Sequence, residues 1–408
     1  MAARLKISPE LIGGDADEGY GKVADAFRRN LLSGREFGAV VAVYHEGRKV
    51  VDLWGGYRDA TARAPWERDT LVTVFSATKG VSALTIAVAA SRGLIDYDAK
   101  VAEYWPDFAQ AGKGAITVRQ LLSHQAGLVV IDPPLTFADL TDPVAMSAKL
   151  AAQAPLWSPG TRHGYHALTL GWYASELIRQ TDPRGRTIAR FFDQEIAQPH
   201  ELDFYIGLPP DIGRDRVADM VTPTKATALK QLIKLSPSQV LALVNPFGLS
   251  KRAIALAEGY EDVDINSNEI RALEIPAGNG TGTARSLAKL YGIAATDGAE
   301  LGLTAGVLDA LRAPAVMPTG GARDFVSRAE TSYSLGFNKP TSEWVFGSSS
   351  TAFGTPGAGG SFAFADPDTG VGFAYLMNRM NVYPFSDPRE LTLRQALFRD
   401  VLGVREQH

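Results

Sequence analysis

Cysteine is absent from the 408-residue chain. That absence removes disulfide frameworks, thiolate zinc sites, iron–sulfur clusters and cysteine nucleophiles together. It leaves the compartment open, because a chain without thiols is indifferent to redox poise. An excess of charge of one sign is also missing: 41 Lys and Arg oppose 45 Asp and Glu, for a formal net charge of −4. With a pI near 5.9, the chain lacks the basic face that nucleic acid or an anionic membrane attracts. Long hydrophobic runs are lacking too. Met1 to Glu10 holds no stretch long enough for a signal-peptide core. The run Val81 to Ala90 is broken by Ser82 and Thr85 and is too short to span a bilayer. No internal repeat and no low-complexity tract is present. The expectation is a cytoplasmic protein with no nucleic-acid or membrane partner, whose composition is compatible with a homo-oligomer.

Apolar residues make up 45% and charged residues 21%, an ordinary globular balance. The length exceeds one simple core and favours a composite domain or two lobes. Asp17 to Leu32 carries the spacing of an amphipathic helix. Gly38 to Tyr44 and Arg48 to Trp54 are β-rich runs around His45-Glu46-Gly47, which predicts a hairpin. Strand character returns at Ser332 to Asn338, Trp344 to Ser348, Ser361 to Ala365 and Gly370 to Met377. Asp366-Pro367-Asp368-Thr369 is a turn signal between the last two, and Pro388 to Leu402 reads as a closing helix. Helical spacing dominates between these ends, at Lys79 to Arg92, Val118 to Leu122, Leu168 to Arg179, Thr187 to Ala197, Pro237 to Leu243 and Thr283 to Ala295. This order predicts an α/β (α+β) protein. One antiparallel sheet is built from both chain ends, with flanking helices and an inserted, mostly helical lobe. Residues 210–278 hold several prolines and short amphipathic pieces, in keeping with a lid.

The sharpest chemical motif is Ser76-Ala77-Thr78-Lys79. Ser and Lys three apart share one face of a helix start. A serine in a first turn sits among outward-pointing N–H groups that favour an oxyanion. A desolvated lysine beside it loses its proton readily and can act as base. The pair can replace a Ser-His-Asp triad. With 23 serines and 13 lysines, such a spacing arises by chance roughly 0.7 times per chain. A second copy exists, Ser286-Leu287-Ala288-Lys289. Context separates them. Ser76 lies between the apolar run Leu71 to Phe75 and a nearly uncharged helix, whereas Ser286 lies beside Arg285 and Lys289 on what reads as a solvated face.

Two further segments carry candidate groups. In Gly160 to Ala167, Tyr165 follows a Pro-Gly loop and precedes an apolar helix, so its hydroxyl could reach a cleft. A phenol titrates near ~10 and needs a cation to serve as base, a role open to Lys79. A core tyrosine with one hydrogen bond is the alternative. His163 and His166 flank it and read as satisfied loop histidines. Gly354-Thr355-Pro356-Gly357-Ala358-Gly359-Gly360-Ser361 lies at the mouth of a strand, where glycines allow close approach of a ligand. It is not a phosphate loop, because no Gly-Lys-Ser/Thr ending follows.

These three elements occur in this order in the serine β-lactamase-like fold, and neighbouring segments strengthen the likeness. Ile116 to Leu128 resembles the TxxxLLxHxxGL segment of class C β-lactamase-related hydrolases, and Gly93 to Asp98 resembles their GLLDLD turn. Ile275 to Ala284 is similar to a segment of the esterase branch, and the whole is closest in character to the family VIII carboxylesterases. The resemblance implies Ser76 as acylated nucleophile, Lys79 as its partner and Tyr165 as general base. It implies an oxyanion hole from the Ser76 N–H and a backbone N–H near Ala358, with Gly357 and Thr355 in the substrate-binding strand. It also implies a sheet lobe of residues 1–75 and 280–408 and a helical lobe of residues 76–279, with the site in the cleft between. No cofactor and no metal is expected, and the implied partner is a small ester.

Two departures bear on substrate. Where the family's β-lactamases and peptidases have Tyr-x-Asn, this chain has Tyr165-His166-Ala167. Where they have Lys-Thr-Gly or His-Thr-Gly, it has Thr355-Pro356-Gly357, without a cation. Both favour neutral esters over β-lactams, which carry a carboxylate. A β-lactamase, D-alanyl peptidase or acyltransferase on the same fold is the alternative, and a ligand-binding module the non-enzymatic one. An α/β-hydrolase would need Gly-x-Ser-x-Gly, and a zinc hydrolase His-Glu-x-x-His; the chain has neither.

Overall fold

The computed structural model describes residues 6–224, 236–245, 248–259, 263–383 and 385–405. Its centre is a sheet of nine antiparallel strands drawn from both chain ends. From the front come β1 (Ile12–Ala16), β2 (Gly38–His45), β3 (Arg48–Asp59) and the short β4 (Ala64–Pro65). Two-residue strands, β5 (Val72–Thr73), β6 (Phe204–Tyr205) and β7 (Thr281–Gly282), form a separate small sheet. From the rear come β8 (Tyr333–Ser334), β9 (Phe337–Asn338), β10 (Phe353–Pro356), β11 (Phe362–Asp366) and β12 (Val371–Met377). The large sheet runs β1-β3-β2-β12-β11-β10-β9-β8, with β4 beside β3. The two ends meet where β12 pairs with β2, Val371 opposite His45 through Met377 opposite Ala39.

Ala39 to Val43 are buried without alternation, which requires cover on both faces of the sheet. Helices α1 (Gly21–Leu32), α2 (Thr78–Ser91), α3 (Val118–Leu122), α4 (Thr169–Thr181), α5 (Leu249–Ile254), α6 (Ala284–Ala295) and α7 (Pro388–Gln395) matter most here. α6 lies on β2, β11 and β12, while α1 packs on β1, β3 and α7. α2 is buried all round, from Thr78 through Ala89, and its mostly small and apolar residues suit a helix in the middle of a large protein. Among the described residues no helix is long and apolar enough to cross a membrane.

Most sequence expectations fall within a few residues of these bounds. The run Ser332 to Asn338 is a tight hairpin rather than one strand, because Leu335 and Gly336 are left-handed, at φ 51° and 92°. Trp344 to Ser348 forms no strand. Its aromatic residues serve packing instead: Trp344 lies 4.7 Å from Phe346, 5.2 Å from Phe362 and 4.5 Å from Phe385, ring centre to ring centre. Residues 225–235, 246–247 and 260–262 of the expected lid lie outside the described residues.

Candidate active site

Ser76 sits in a single turn, Phe75–Ala77, that leads directly into α2. Phe75 holds a left-handed backbone at φ 49°, a conformation that costs a bulky residue about 1–3 kcal/mol. The surroundings over-determine it. Thr78 Oγ1 donates to the Phe75 carbonyl at 2.5 Å and accepts from the Gly280 N–H at 2.8 Å, and the Val74 N–H donates to the Gly280 carbonyl at 2.8 Å. From the other side β10 presses in: a Cβ on Gly357 would stand 2.1 Å from the Val74 carbonyl oxygen. Only glycine allows this approach of the strand end to the Ser76 turn.

One turn on, Lys79 points back at the serine. Its Nζ lies 3.2 Å from Ser76 Oγ and donates to the carbonyls of Ala167 and Ala277 at 2.6 and 2.8 Å. The side chain is buried, and desolvation holds its pKa well below the ordinary lysine value. Among the described residues no carboxylate bonds to it. The Ala277 carbonyl comes from the segment Ile275 to Ala284. It reaches the amine because α4 packs closely there, with Gly171 so near that a Cβ would lie 2.4 Å from the Ala277 nitrogen.

Tyr165 closes the group. The Lys79 Nζ lies 4.8 Å from the centre of its ring, and the Ser76 side chain acts on its hydroxyl. Burial pushes the phenol up to about 12, against the pull of that serine, and the negative charge of Asp324 pushes the same way. The ring packs in an apolar cluster with Val129, Val130, Trp157, Ala167, Leu249, Ala253 and Val326. Ser76, Lys79 and Tyr165, 89 positions apart at the extremes, are thus brought together in one crevice.

The third segment splits by role. The Gly357 N–H is taken by the Ser361 carbonyl at 2.7 Å. Ala358, exposed at the next position, donates to no backbone carbonyl among the described residues. The loop behind it is held by Arg389, whose Nη2 donates to the Gly359 carbonyl at 2.8 Å while its guanidinium pairs with buried Glu36 and Asp387. Thr355 does not face the crevice. It is 2% exposed, its hydroxyl shared with Tyr291 at 2.9 Å and the Ala77 carbonyl at 3.2 Å. The hydroxyl of Thr355, expected in the substrate-binding strand, thus makes a packing contact between β10 and α2.

Ser286 corrects another expectation. It is buried rather than solvated, 2.9 Å from both the Asp203 N–H that it accepts and the Thr283 hydroxyl. The sequence reading missed the partners that organise Tyr165. His124 stands inside the LLSHQAGL segment and was given no role, although a histidine at the end of an apolar helix, beside a Gly turn, was the available signal. Tyr333 and Asp324 had no signal of their own. Both are buried, and Tyr333 stacks on Tyr165 with ring centres 6.1 Å apart.

A hydroxyl at a strained helix start, a buried amine one turn later and a phenol thus stand side by side. Residues 23–397 match the Beta-lactamase family, and the chain belongs to that family. It is 37% identical to the Esterase/beta-lactamase LipL of Mycobacterium tuberculosis over 90% of this chain and 83% of that protein. Among solved structures, a penicillin-binding protein homologue from Caulobacter crescentus has TM-score 0.80 and 38% identity, covering 94% of this chain and 98% of that one. A family VIII carboxylesterase has TM-score 0.80 and 37% identity, with the same coverage of both chains.

Proposed function

We propose that this protein is a serine carboxylesterase that cleaves small, neutral, short-chain esters through an acyl-enzyme on Ser76. The observation that carries the reading is the Lys79 amine. An uncharged amine has two N–H groups and one lone pair. The carbonyls of Ala167 and Ala277 take the two N–H groups, which leaves the lone pair for the Ser76 O–H at 3.2 Å. Desolvation favours that form.

The chemistry then balances as follows. Ser76 Oγ attacks the ester carbonyl carbon while its proton passes to the Lys79–Tyr165 pair. The carbonyl oxygen becomes an oxyanion and is met by the N–H groups of Ser76 and Ala358. As the C–O bond breaks, the neutral phenol of Tyr165 gives a proton to the departing alkoxide and regains one from Lys79, leaving acyl-Ser76 and a free alcohol. Water repeats the sequence: the pair takes its proton, the acid departs and Ser76 Oγ is reprotonated. On this reading the crevice lies between the sheet-bearing residues 1–75 and 280–408 and the helical residues 76–279.

The choice of neutral esters rests on what the site lacks. The strand position where relatives carry a cation holds buried Thr355, and Ala167 stands where they carry an amide. A charge-assisted hydrogen bond is worth about 1.5–3 kcal/mol, so a carboxylate-bearing substrate loses roughly ten- to a hundredfold. The relative named Esterase/beta-lactamase keeps weak β-lactam cleavage as the second reading. A panel of p-nitrophenyl esters run beside a chromogenic cephalosporin tests it. The expected result is ester turnover exceeding cephalosporin turnover by at least about tenfold, both lost in Ser76→Ala. Faster cephalosporin turnover overturns the esterase reading, and full ester turnover in Ser76→Ala overturns the nucleophile.

A further inference from the structure

We propose that His124 and His166 form an uncharged clamp that fixes Tyr165, which makes His124 a positioning residue for the ester cleavage. The inference rests on the role given to Tyr165 above. Both neighbours of Tyr165 in the chain are tied to these two rings. The Gly164 N–H donates to the His124 carbonyl at 3.0 Å, and the Gly164 carbonyl lies 2.8 Å from His166 Nδ1. The His166 amide donates to His124 Nδ1 at 3.0 Å, and the Leu128 amide donates to His166 Nε2 at 3.1 Å.

The three contacts to ring nitrogens fix the tautomers. An amide N–H only donates, so each ring nitrogen that receives one is bare. His166 therefore carries its proton on Nδ1, facing the Gly164 carbonyl, with His124 Nδ1 3.2 Å away. His124 carries its proton on Nε2. A second proton on either ring would meet an amide N–H head on. Burial disfavours it as well, holding His124 well below the usual histidine range and His166 down to about 3. Among the described residues the titratable groups around His124 are His166, His163, Lys79, Tyr165 and Tyr333, and the buried carboxyl of the same network, Asp324, contacts Tyr333 rather than the His124 ring.

Beyond these backbone ties, which carry the positioning, the His124 ring also touches the phenol and its neighbour. The centre of the His124 ring lies 5.1 Å from that of Tyr165 and 4.4 Å from that of Tyr333, which itself stacks on Tyr165. His124 holds a left-handed backbone at φ 60°, a conformation open to histidine, asparagine and glycine but poor for most side chains. A misplacement of the phenol by a fraction of an ångström would be felt in turnover rather than in substrate binding.

His124→Gly keeps the backbone conformation and deletes the acceptor. His124→Asn keeps both, because its Oδ1 replaces the bare Nδ1. With p-nitrophenyl acetate, His124→Gly is expected to lower kcat about ten- to a hundredfold with KM within about threefold, and His124→Asn to recover kcat to within about fivefold of the parent. In a Tyr165→Phe background the added loss from His124→Gly should shrink to under about twofold. Nitrogen NMR of the parent side chains at pH 7 should show Nδ1–H on His166 and Nε2–H on His124, a readout independent of whether any variant folds. A folded His124→Gly with kcat within about threefold of the parent overturns the proposal. So does a loss of undiminished size in the Tyr165→Phe background, or an imidazolium or the opposite tautomer at His124. Parent-like turnover in Tyr165→Phe alone would instead overturn the role of Tyr165.

Discussion

Two serines with the same spacing to lysine met different fates. Ser76 lies in the turn before α2 against the Lys79 amine, and Ser286 lies in the first turn of α6 against Thr283 and Asp203. The three-residue spacing is blind to this difference, and the apolar surroundings of Ser76 supplied the distinction. The cations beside Ser286 misled on burial. Arg285 and Lys289 share one outer face of α6, while Ser286, about 100° further round the helix, turns inward. Ser286→Ala should leave ester hydrolysis within about threefold and cost about 1 kcal/mol of stability, since it removes hydrogen bonds rather than chemistry. Steady-state kinetics with chemical denaturation checks both. Tyr165→Phe should lower kcat by at least about a hundredfold at unchanged melting temperature, because only the hydroxyl is removed. An unchanged kcat would remove Tyr165 from the reaction.

Strands were legible wherever β-branched and aromatic runs ended in turn chemistry, as at Gly38 to Tyr44 and Gly370 to Met377. Trp344 to Ser348 has the same composition but spends its rings on a side-chain cluster, which periodicity does not report. The short helix α5 carries Lys251 and Arg252 and was invisible for its length and polarity. It nevertheless matters to the crevice. Ala253 and Leu249 join the apolar cluster around Tyr165. Ala253 also lines a cavity of about 320 Å³ with Val129, Val130, Leu168 and Trp172. Arg252 reaches across to Asp132 at 2.6 Å and ties the helix down. If this cavity receives acyl chain, Ala253→Trp should lower kcat/KM for octanoate and decanoate esters at least about tenfold while leaving acetate within about threefold. A uniform loss across chain lengths would separate the cavity from the acyl group.

The molecule as a whole joins its two ends in one sheet, and the strand character at both termini made that visible without any knowledge of pairing. The convergence of Ser76, Lys79 and Tyr165 was legible only through the order of motifs, since contact between residues so far apart leaves no local trace. The neutral, buried histidines also give a property of the whole fold. Their folded pKa values lie below the unfolded value of about 6.5, so below that pH the unfolded chain holds more protons than the folded one. Their contribution is fully present above about pH 6.5 and is lost as pH falls toward about 3, the value for His166. The buried carboxyls of Glu36, Asp324 and Asp366 are pushed up by burial and act in the opposite direction. A comparison isolates the histidine: between pH 7.5 and 5.0, urea denaturation should show a larger loss of stability for the parent than for His124→Asn. Equal losses would mean that His124 takes up a proton without resistance.

The most direct test of the account is where an acyl-transfer probe attaches. After reaction with a fluorophosphonate, intact mass should show one adduct per chain, and peptide mapping should place it on Ser76, with none formed by Ser76→Ala. An adduct on Ser286 or any other residue, or an unlabelled parent that still hydrolyses esters, would contradict it.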